Sequence, residues 1–182
     1  QCNNRCLFCH EAEFDFTALS REAIMTKINK ARDLGMDMII FSGGEPTIHP
    51  DFKNIITLLK KTLDMPFGLA TNSRMLSSER FLCRLLDNGL SYLYLSLAGH
   101  RSKLHDTITQ VPGAFKQVDA AFDNITIHYP HDYPLMVNVV VHRYNYPYLK
   151  RIAEYLLEKQ IMNIKFSLAE VKGQAQRNVE VM

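Results

Sequence analysis

The sequence predicts an α/β protein with a parallel β-sheet, and three observations lead to this prediction. Helix-like and strand-like patterns alternate along nearly the whole chain. The strand-like segments are short, almost continuous apolar runs, which are typical of strands buried on both faces. The helix-like segments repeat apolar residues every three or four positions. This alternation implies right-handed crossovers and a parallel sheet, either open and doubly wound or closed or partly closed into a barrel.

The elements follow one another in a regular order. Ser20 can cap a first helix that has an apolar face over 24–31, and Gly35 can end it. The apolar run 36–41 predicts the first strand. The longest irregular stretch, 98–113, is expected to hold a short helical turn. The same reasoning predicts further helices over 52–63, 81–86, 115–122 and 149–156, and further strands over 67–71, 90–97, 136–141 and 164–168.

Composition and charge exclude several classes of protein. With 182 residues the chain has the size of one domain. Its 47% of apolar and 22% of charged residues exclude a disordered or collagen-like chain. The formal net charge of +2 is too small to indicate a nucleic-acid or membrane partner, and no apolar run approaches the ~18 residues of a membrane span. The N-terminus lacks a secretory pattern, so we expect a soluble, cytoplasmic protein.

Polar residues cluster where the predicted strands end. These clusters are 42–45, 71–73, 96–100 and 138–142. The carboxyl ends of parallel strands meet at one edge of a sheet or barrel, and that edge carries the functional loops. We therefore expect these four segments to surround one site.

Three of the four cysteines are close together at the start of the chain. Cys2, Cys6 and Cys9 follow one another with three and then two residues between them, whereas Cys83 is far away. This spacing suggests metal ligands and not a framework of disulfides. A tetrahedral zinc ion needs four ligands, and the adjacent His10 is poorly placed to supply the fourth. A four-iron cluster would leave one iron open to a small molecule. The spacing alone leaves a cluster, a structural zinc and fortuitous cysteines as alternatives.

Two motifs together give the chain a resemblance to a known family. One is the cysteine loop with the aromatic Phe8 before its last ligand, and the other is Ser-Gly-Gly-Glu-Pro over 42–46. In this combination the chain resembles the radical S-adenosylmethionine (SAM) superfamily. The segments 71–72, 96–100 and 105–115 are similar to its SPASM-type branch, which includes molybdenum-cofactor, nitrogenase-cofactor and peptide-modifying maturases. The resemblance extends over essentially the whole chain.

This resemblance implies a particular fold, a partial (β/α)₆ TIM-like barrel in which the cluster loop follows the first strand. Gln1 begins the chain without an initiator Met, so we expect 1–182 to be a radical SAM core domain that is shortened at both ends and lacks that first strand. The absence of that first strand would expose an edge of the next strand. The cysteine loop would then be tethered at one end only.

The resemblance also implies the cofactors and the residues that hold them. Cys2, Cys6 and Cys9 would ligate a [4Fe–4S] cluster, and SAM would chelate the open iron through its amino and carboxylate groups. Phe8 would lie near the adenine. The expected contacts to the SAM amino group are Gly43, Gly44, Glu45 and Pro46, with Glu45 as the hydrogen-bond acceptor. Paired glycines permit close backbone approach, and a carboxylate suits an ammonium-like donor.

Weaker matches concern the later motifs. Ser96 matches a position near the ribose or carboxylate of SAM, but a serine at a strand end can also satisfy a loop backbone. Thr71 and Asn72 either line the pocket or form the turn after their strand. Asn138 lies in an apolar strand and needs a buried partner, and the resemblance implies that this partner is SAM. Ala98 is a departure, because relatives often carry Asp there.

The remaining candidates have less specific interpretations. Gly173 and Asn178 resemble a late loop that touches the adenosine. Cys83 is expected to act as a small apolar residue within a helix. The histidines show no paired ligand spacing and are expected in surface or loop positions; they include His49, His100, His105, His128, His131 and His142.

The resemblance finally implies a function. A radical SAM enzyme would cleave SAM to a 5′-deoxyadenosyl radical and abstract hydrogen from a substrate, such as a peptide or a cofactor precursor. It would need a one-electron donor such as flavodoxin or ferredoxin. Two other functions stay open from the sequence, a zinc-stabilised binding module and a degenerate scaffold that holds a cluster without catalysis.

Overall fold

A computed structural model describes residues 1–10 and 18–182 as an α/β structure with one parallel sheet. The strand order is β1-β2-β3-β4-β5, and every neighbouring pair is parallel. The strands are β1 (Ile39–Phe41), β2 (Phe67–Thr71), β3 (Leu90–Ser96), β4 (Leu135–Val141) and β5 (Ile164–Leu168). The α-helices are α1 (Arg21–Asp33), α2 (Phe52–Leu58), α3 (Glu79–Asp87), α4 (Ser102–Thr109), α5 (Ala114–His128), α6 (Leu149–Glu158) and α7 (Gln174–Arg177). The predicted parallel α/β architecture is therefore confirmed.

Local sequence accounts for several element boundaries. The Ser20 hydroxyl accepts a hydrogen bond from the backbone N–H of Ala23 at 3.2 Å and caps α1, as predicted. Gly35, at φ +82°, follows the end of that helix. The predicted helix over 52–63 changes from α to π geometry at Leu59.

Two predictions were inexact. The first strand begins at Ile39 and not at position 36, and the side chains of Met36 and Met38 are exposed. The stretch 98–113 contains the full helix α4, which has eight residues, and not only a helical turn. Its buried side chains include His105 and Thr109, so polar residues interrupt the apolar stripe that would have predicted it.

The two faces of the sheet have different surroundings. One face packs on the helices and forms the main apolar core, with Leu69, Leu93, Leu95, Val137 and Val139 among its buried residues. The alternate residues of the same strands face a cavity and include Ala70, Tyr94, Ser96, Asn138, Val140 and Ser167. Helices outside and a lined cavity inside are the arrangement of a partial barrel.

The strand ends are aligned at the edge where polar residues were predicted to meet. Thr71 pairs with Leu95, and Ser96 pairs with Asn138, so the ends of β2, β3 and β4 lie side by side. Among the helices of the described residues, none is both long enough and apolar enough to cross a membrane.

Candidate functional site

A cavity of about 450 Å³ lies at the carboxyl ends of the strands. The thiol-bearing residues Cys2, Cys6 and Cys9 line it together with Gly43, Gly44, Thr71, Asn72, Ser96 and Asn138. Its volume is within the range of about 300–1,000 Å³ that is usual for small-molecule sites. The structure thus brings the cysteine loop and the predicted strand-end residues to one place.

The cysteine loop, residues 1–10, is fixed along its length by backbone hydrogen bonds. Its partners belong to the segment after β1, to the last turn of α4 and to the start of α7. The bonds are Glu45 N to Gln1 O at 2.9 Å, Arg5 N to Thr109 O at 2.9 Å, Leu7 N to Ile108 O at 3.0 Å and Gln174 N to Cys9 O at 2.8 Å. The expectation that this loop is tethered at one end only was therefore wrong.

Two glycines allow other segments to approach the cysteine loop closely. A Cβ atom on Gly44 would overlap the carbonyl oxygen of Gln1. A Cβ atom on Gly173 would lie 2.5 Å from the carbonyl oxygen of His10 and 2.7 Å from that of Cys9. Gly43, by contrast, has φ +133° and open space where a Cβ would stand. Close packing at Gly44 and Gly173 therefore serves the loop itself.

The buried carboxylate of Glu45 connects the segment after β1 with the end of β2. Its Oε1 accepts hydrogen bonds from the Thr47 backbone N–H at 3.2 Å, the Thr47 hydroxyl at 2.5 Å and the Thr71 hydroxyl at 2.7 Å. Its Oε2 accepts one from the backbone N–H of Asn72 at 2.7 Å. Oε2 accepts only this one hydrogen bond from the described residues, so it has capacity for a further donor.

The turn after β2 holds the first half of the cysteine loop. The Asn72 side-chain amide donates to Asn3 Oδ1 at 2.6 Å and lies 3.9 Å from the sulfur of Cys2. The guanidinium of Arg74 donates to the carbonyl oxygen of Asn3 and, at 3.0 Å, to Asn4 Oδ1. The sequence analysis missed Arg74, because nothing in a lone arginine after a strand indicates which distant segment it contacts.

Ser96 and Asn138 lie on neighbouring strands in the cavity wall. Ser96 is exposed to the cavity, and Asn138 is half-buried. The side-chain oxygen of Asn138 accepts a hydrogen bond from the Ser167 hydroxyl at 2.9 Å. Ser167, half-buried in the same cavity wall, is thus a partner for Asn138 that the sequence did not indicate.

Phe8 packs in a small apolar cluster below the loop. The cluster contains Ala98, Leu104 and Ile108, and the Phe8 ring is stacked on that of His142 with centroids 5.5 Å apart. Ala98, where relatives often carry Asp, therefore contributes apolar surface here. Asn178, at the other side of the loop, donates to the carbonyl oxygen of Leu7 at 3.2 Å.

Two histidines are more buried than the sequence suggested. His105 is on α4 and only 2% exposed, and His142 is only 3% exposed. Each accepts a backbone N–H on Nδ1, from Ala98 and Tyr144 respectively, at 3.3 Å. Burial lowers the pKa of each ring to about 4, so both are neutral at pH 7.

Two of the loop thiols, those of Cys2 and Cys6, carry protons when no metal is bound. Burial raises the pKa of Cys6 to about 12 and raises the pKa of Cys2 as well. Ligation of a metal therefore has to release these protons. Within residues 1–10 and 18–182, no three His, Cys, Asp or Glu side chains are gathered around a single-ion position. Cys83 lies in α3, as predicted.

The fold and the site define a class of protein, a partial parallel barrel with a three-cysteine loop at the carboxyl ends of its strands. The Radical SAM superfamily profile matches residues 1–161, and the chain belongs to this superfamily. The resemblance drawn from the motifs is confirmed. Members of this superfamily bind a [4Fe–4S] cluster and SAM.

Individual proteins are similar to this chain in sequence or in fold. PqqA peptide cyclase of Rhodopseudomonas palustris is 28% identical over 184 residues, which cover 98% of this chain and 47% of that protein. The structure of anSMEcpe with bound AdoMet and Kp18Cys peptide has a TM-score of 0.75 at 18% identity and covers 93% of this chain and 49% of that one. Streptococcus suis SuiB bound to precursor peptide SuiA has a TM-score of 0.69 at 19% identity, with coverage of 93% and 37%. The chain thus spans less than half the length of these relatives.

Proposed function

We propose that this chain is the core domain of a radical SAM enzyme that acts on a peptide. Cys2, Cys6 and Cys9 hold a [4Fe–4S] cluster, and SAM binds in the cavity beside them. One observation carries the proposal: three thiols from one loop line the cavity into which the strand-end polar residues also project. Three thiolates leave one iron of a four-iron cluster without a protein ligand, and that iron is open to SAM.

The chemistry belongs to the cofactors. When bound, the cluster held by Cys2, Cys6 and Cys9 would supply one electron for the reductive cleavage of SAM, and the cleaved SAM would supply the radical that abstracts hydrogen from a substrate. The chain's own residues bind, orient and shield these groups. The electron comes from a one-electron donor such as flavodoxin or ferredoxin.

The wall residues have roles that follow from their chemistry. Glu45 offers the remaining acceptor position of Oε2 to the SAM amino group, beside the open backbone of Gly43. Ser96 and Asn138 offer side-chain hydrogen bonds from the adjoining strands. The other proposed SAM contacts are Phe8, Gly44, Pro46, Thr71 and Asn72.

A peptide is the substrate class that the relatives favour. The curated relative is named for cyclising the peptide PqqA, and the SuiB and anSMEcpe structures are described with bound peptides. These proteins share the fold of this chain, and the sequence relative aligns along nearly all of it. We therefore extend the peptide class, though no particular peptide, to this chain.

The test is the reductive cleavage of SAM. The chain is reconstituted anaerobically with iron and sulfide, mixed with SAM and dithionite, and 5′-deoxyadenosine is quantified by mass spectrometry, with a sample lacking dithionite as control. We expect 5′-deoxyadenosine only in the reduced sample. A colourless protein with one zinc per chain would contradict the proposal in favour of a zinc module. A bound cluster without 5′-deoxyadenosine would contradict it in favour of a non-catalytic scaffold.

A further inference from the structure

Arg74 is a cation beside the cysteine loop that has no anionic partner among the described residues. Its guanidinium contacts neutral groups: the Asn3 carbonyl, Asn4 Oδ1 and, at 2.6 Å, Gln117 Oε1 on α5. Within residues 1–10 and 18–182, no carboxylate forms an ion pair with it. A half-buried charge that is satisfied only by neutral acceptors keeps its full electrostatic effect on its surroundings.

Two described carboxylates in this region, those of Glu45 and Asp106, are committed elsewhere. Glu45 accepts from Thr47, Thr71 and Asn72. Asp106, which faces His105, accepts from the backbone N–H groups of residues 113 and 115 at 2.8 and 2.7 Å. Neither is a partner that neutralises Arg74.

The hydrogen bonds of Arg74 also fix the backbone between the first two cysteines. Asn3 and Asn4 are the residues that follow Cys2, and the Asn4 backbone N–H lies 3.4 Å from the Cys2 sulfur. Asn72, whose side-chain oxygen accepts the Arg74 backbone N–H at 3.1 Å, holds Asn3 from the other side. The guanidinium therefore joins α5, the turn after β2 and the cysteine loop.

We propose that Arg74 is a positioning residue that holds the Cys2 end of the loop for cluster binding and supplies a positive charge that offsets the negative charge of the thiolate-ligated cluster. The inference rests on the proposed function for the cluster itself. A fixed cation favours the reduced, more negative state of a nearby cluster, so Arg74 raises the reduction potential. Its planar guanidinium donates through Nη1 to Asn3 and Asn4 and through Nε to Gln117 on α5, and a lysine ammonium does not match this geometry.

The experiment separates position from charge with three variants of the chain. Arg74→Gln removes the positive charge and the guanidinium donors, and Arg74→Lys keeps the charge but removes the guanidinium geometry. Arg80→Gln, which changes an exposed arginine on α3, is the control. Iron loss to a chelator and the SAM-free reduction potential of the cluster are measured anaerobically. We expect Arg74→Gln to lose iron roughly tenfold faster, as loss of a charge-assisted hydrogen bond implies, and to have a lower potential. Arg74→Lys is expected to lose iron faster while its potential stays near that of the unchanged chain, and Arg80→Gln is expected to match that chain in both.

Hydrogen exchange of the metal-free chain provides a readout that does not depend on the cluster. We expect faster amide exchange over residues 1–9 in Arg74→Gln and no change in Arg80→Gln. Unchanged exchange in Arg74→Gln would overturn the positioning role, and an unchanged potential would overturn the charge role. If the unchanged chain takes up no cluster, the proposed function fails, and the exchange result still decides whether Arg74 positions the loop.

Discussion

The carboxylate of Glu45 connects the segment after β1 with the end of β2, and under the proposed function it also binds SAM. The four donors around it come from Thr47, Thr71 and Asn72. An amide in its place keeps one oxygen but presents an NH₂ group to a donor. The structural and binding effects of this residue are therefore coupled.

We predict that Glu45→Gln lowers both the stability of the metal-free chain and its affinity for SAM. Leaving one buried donor unsatisfied costs about 1–3 kcal/mol, and losing a charge-assisted hydrogen bond weakens SAM binding about ten- to a hundredfold. Thermal unfolding of the metal-free chain measures the change in stability, and calorimetry of the reconstituted protein measures the affinity for SAM. The exposed Glu158→Gln is the control for both. Reduced stability with unchanged SAM affinity would show that Glu45 is only structural.

Two features of Ser73 lower the stability of the fold. It has φ +70°, which an L side chain rarely adopts, and its buried hydroxyl has no hydrogen-bond partner in the described part of the chain. Glycine adopts this conformation without the steric cost. Glycine also has more conformational entropy in the unfolded chain, which offsets part of the stability gained by relieving the steric cost.

We predict that Ser73→Gly raises the free energy of unfolding by about 1 kcal/mol, because it removes the backbone strain and the unpaired hydroxyl together. Ser73→Ala removes the hydroxyl but keeps a Cβ at positive φ, so its gain is expected to be smaller. Urea unfolding of the three proteins measures the difference. A glycine variant less stable than the alanine variant would contradict this account.

At the scale of elements, the cysteine loop depends on segments that are distant in sequence. The turn after β2 holds its first half, α4 holds its middle, and the segment at 173–178 holds its end. Gly173 and Asn178, for which the resemblance implies contact with the adenosine, contact the backbone of the loop in this structure. Preformed backbone contacts of this kind reduce the entropy lost when the thiolates close on a cluster.

We predict that Gly173→Ala impairs cluster retention more than it impairs the fold. Its new Cβ would lie 2.5 Å from the His10 carbonyl oxygen and would displace the loop next to Cys9. Gly35→Ala is the matched control, because Gly35 also has a positive φ but nothing within 4 Å of the added atom. Both changes strain the backbone by about 1–2 kcal/mol. Iron loss to a chelator should be several-fold faster only in Gly173→Ala. Equal rates of iron loss in the two variants would show that the added Cβ atom at position 173 does not disturb the cluster site.

At the scale of the whole molecule, the sheet brings the strand-end motifs to one cavity. Strands β2 and β5 match their predicted bounds, because their apolar runs end abruptly at polar or turn residues. Parallel pairing then places Ser96 beside Asn138. The alternating strand-like and helix-like segments predicted this meeting of polar strand ends. This part of the fold follows from local pattern.

Contacts between distant segments could not be predicted in the same way. The full length of α4 was not predicted, because His105 and Thr109 complete its buried face. The bonds from Arg74 to Asn3 and from Asn178 to Leu7 join residues 71 and 171 positions apart. The periodicity of a single sequence does not indicate such pairs. The motifs therefore identified the candidate ligands, whereas only the tertiary structure showed which residues hold the cysteine loop in place.

The central claim is that Cys2, Cys6 and Cys9 ligate the cluster while Cys83, in α3, does not. The most direct test is the iron and sulfide content, with the visible absorption, of the four single Cys→Ala variants after anaerobic reconstitution. We predict that each loop variant loses most of its iron and its broad visible absorption, and that Cys83→Ala matches the unchanged chain. Full iron content in any loop variant, or loss of the cluster in Cys83→Ala, would contradict the account.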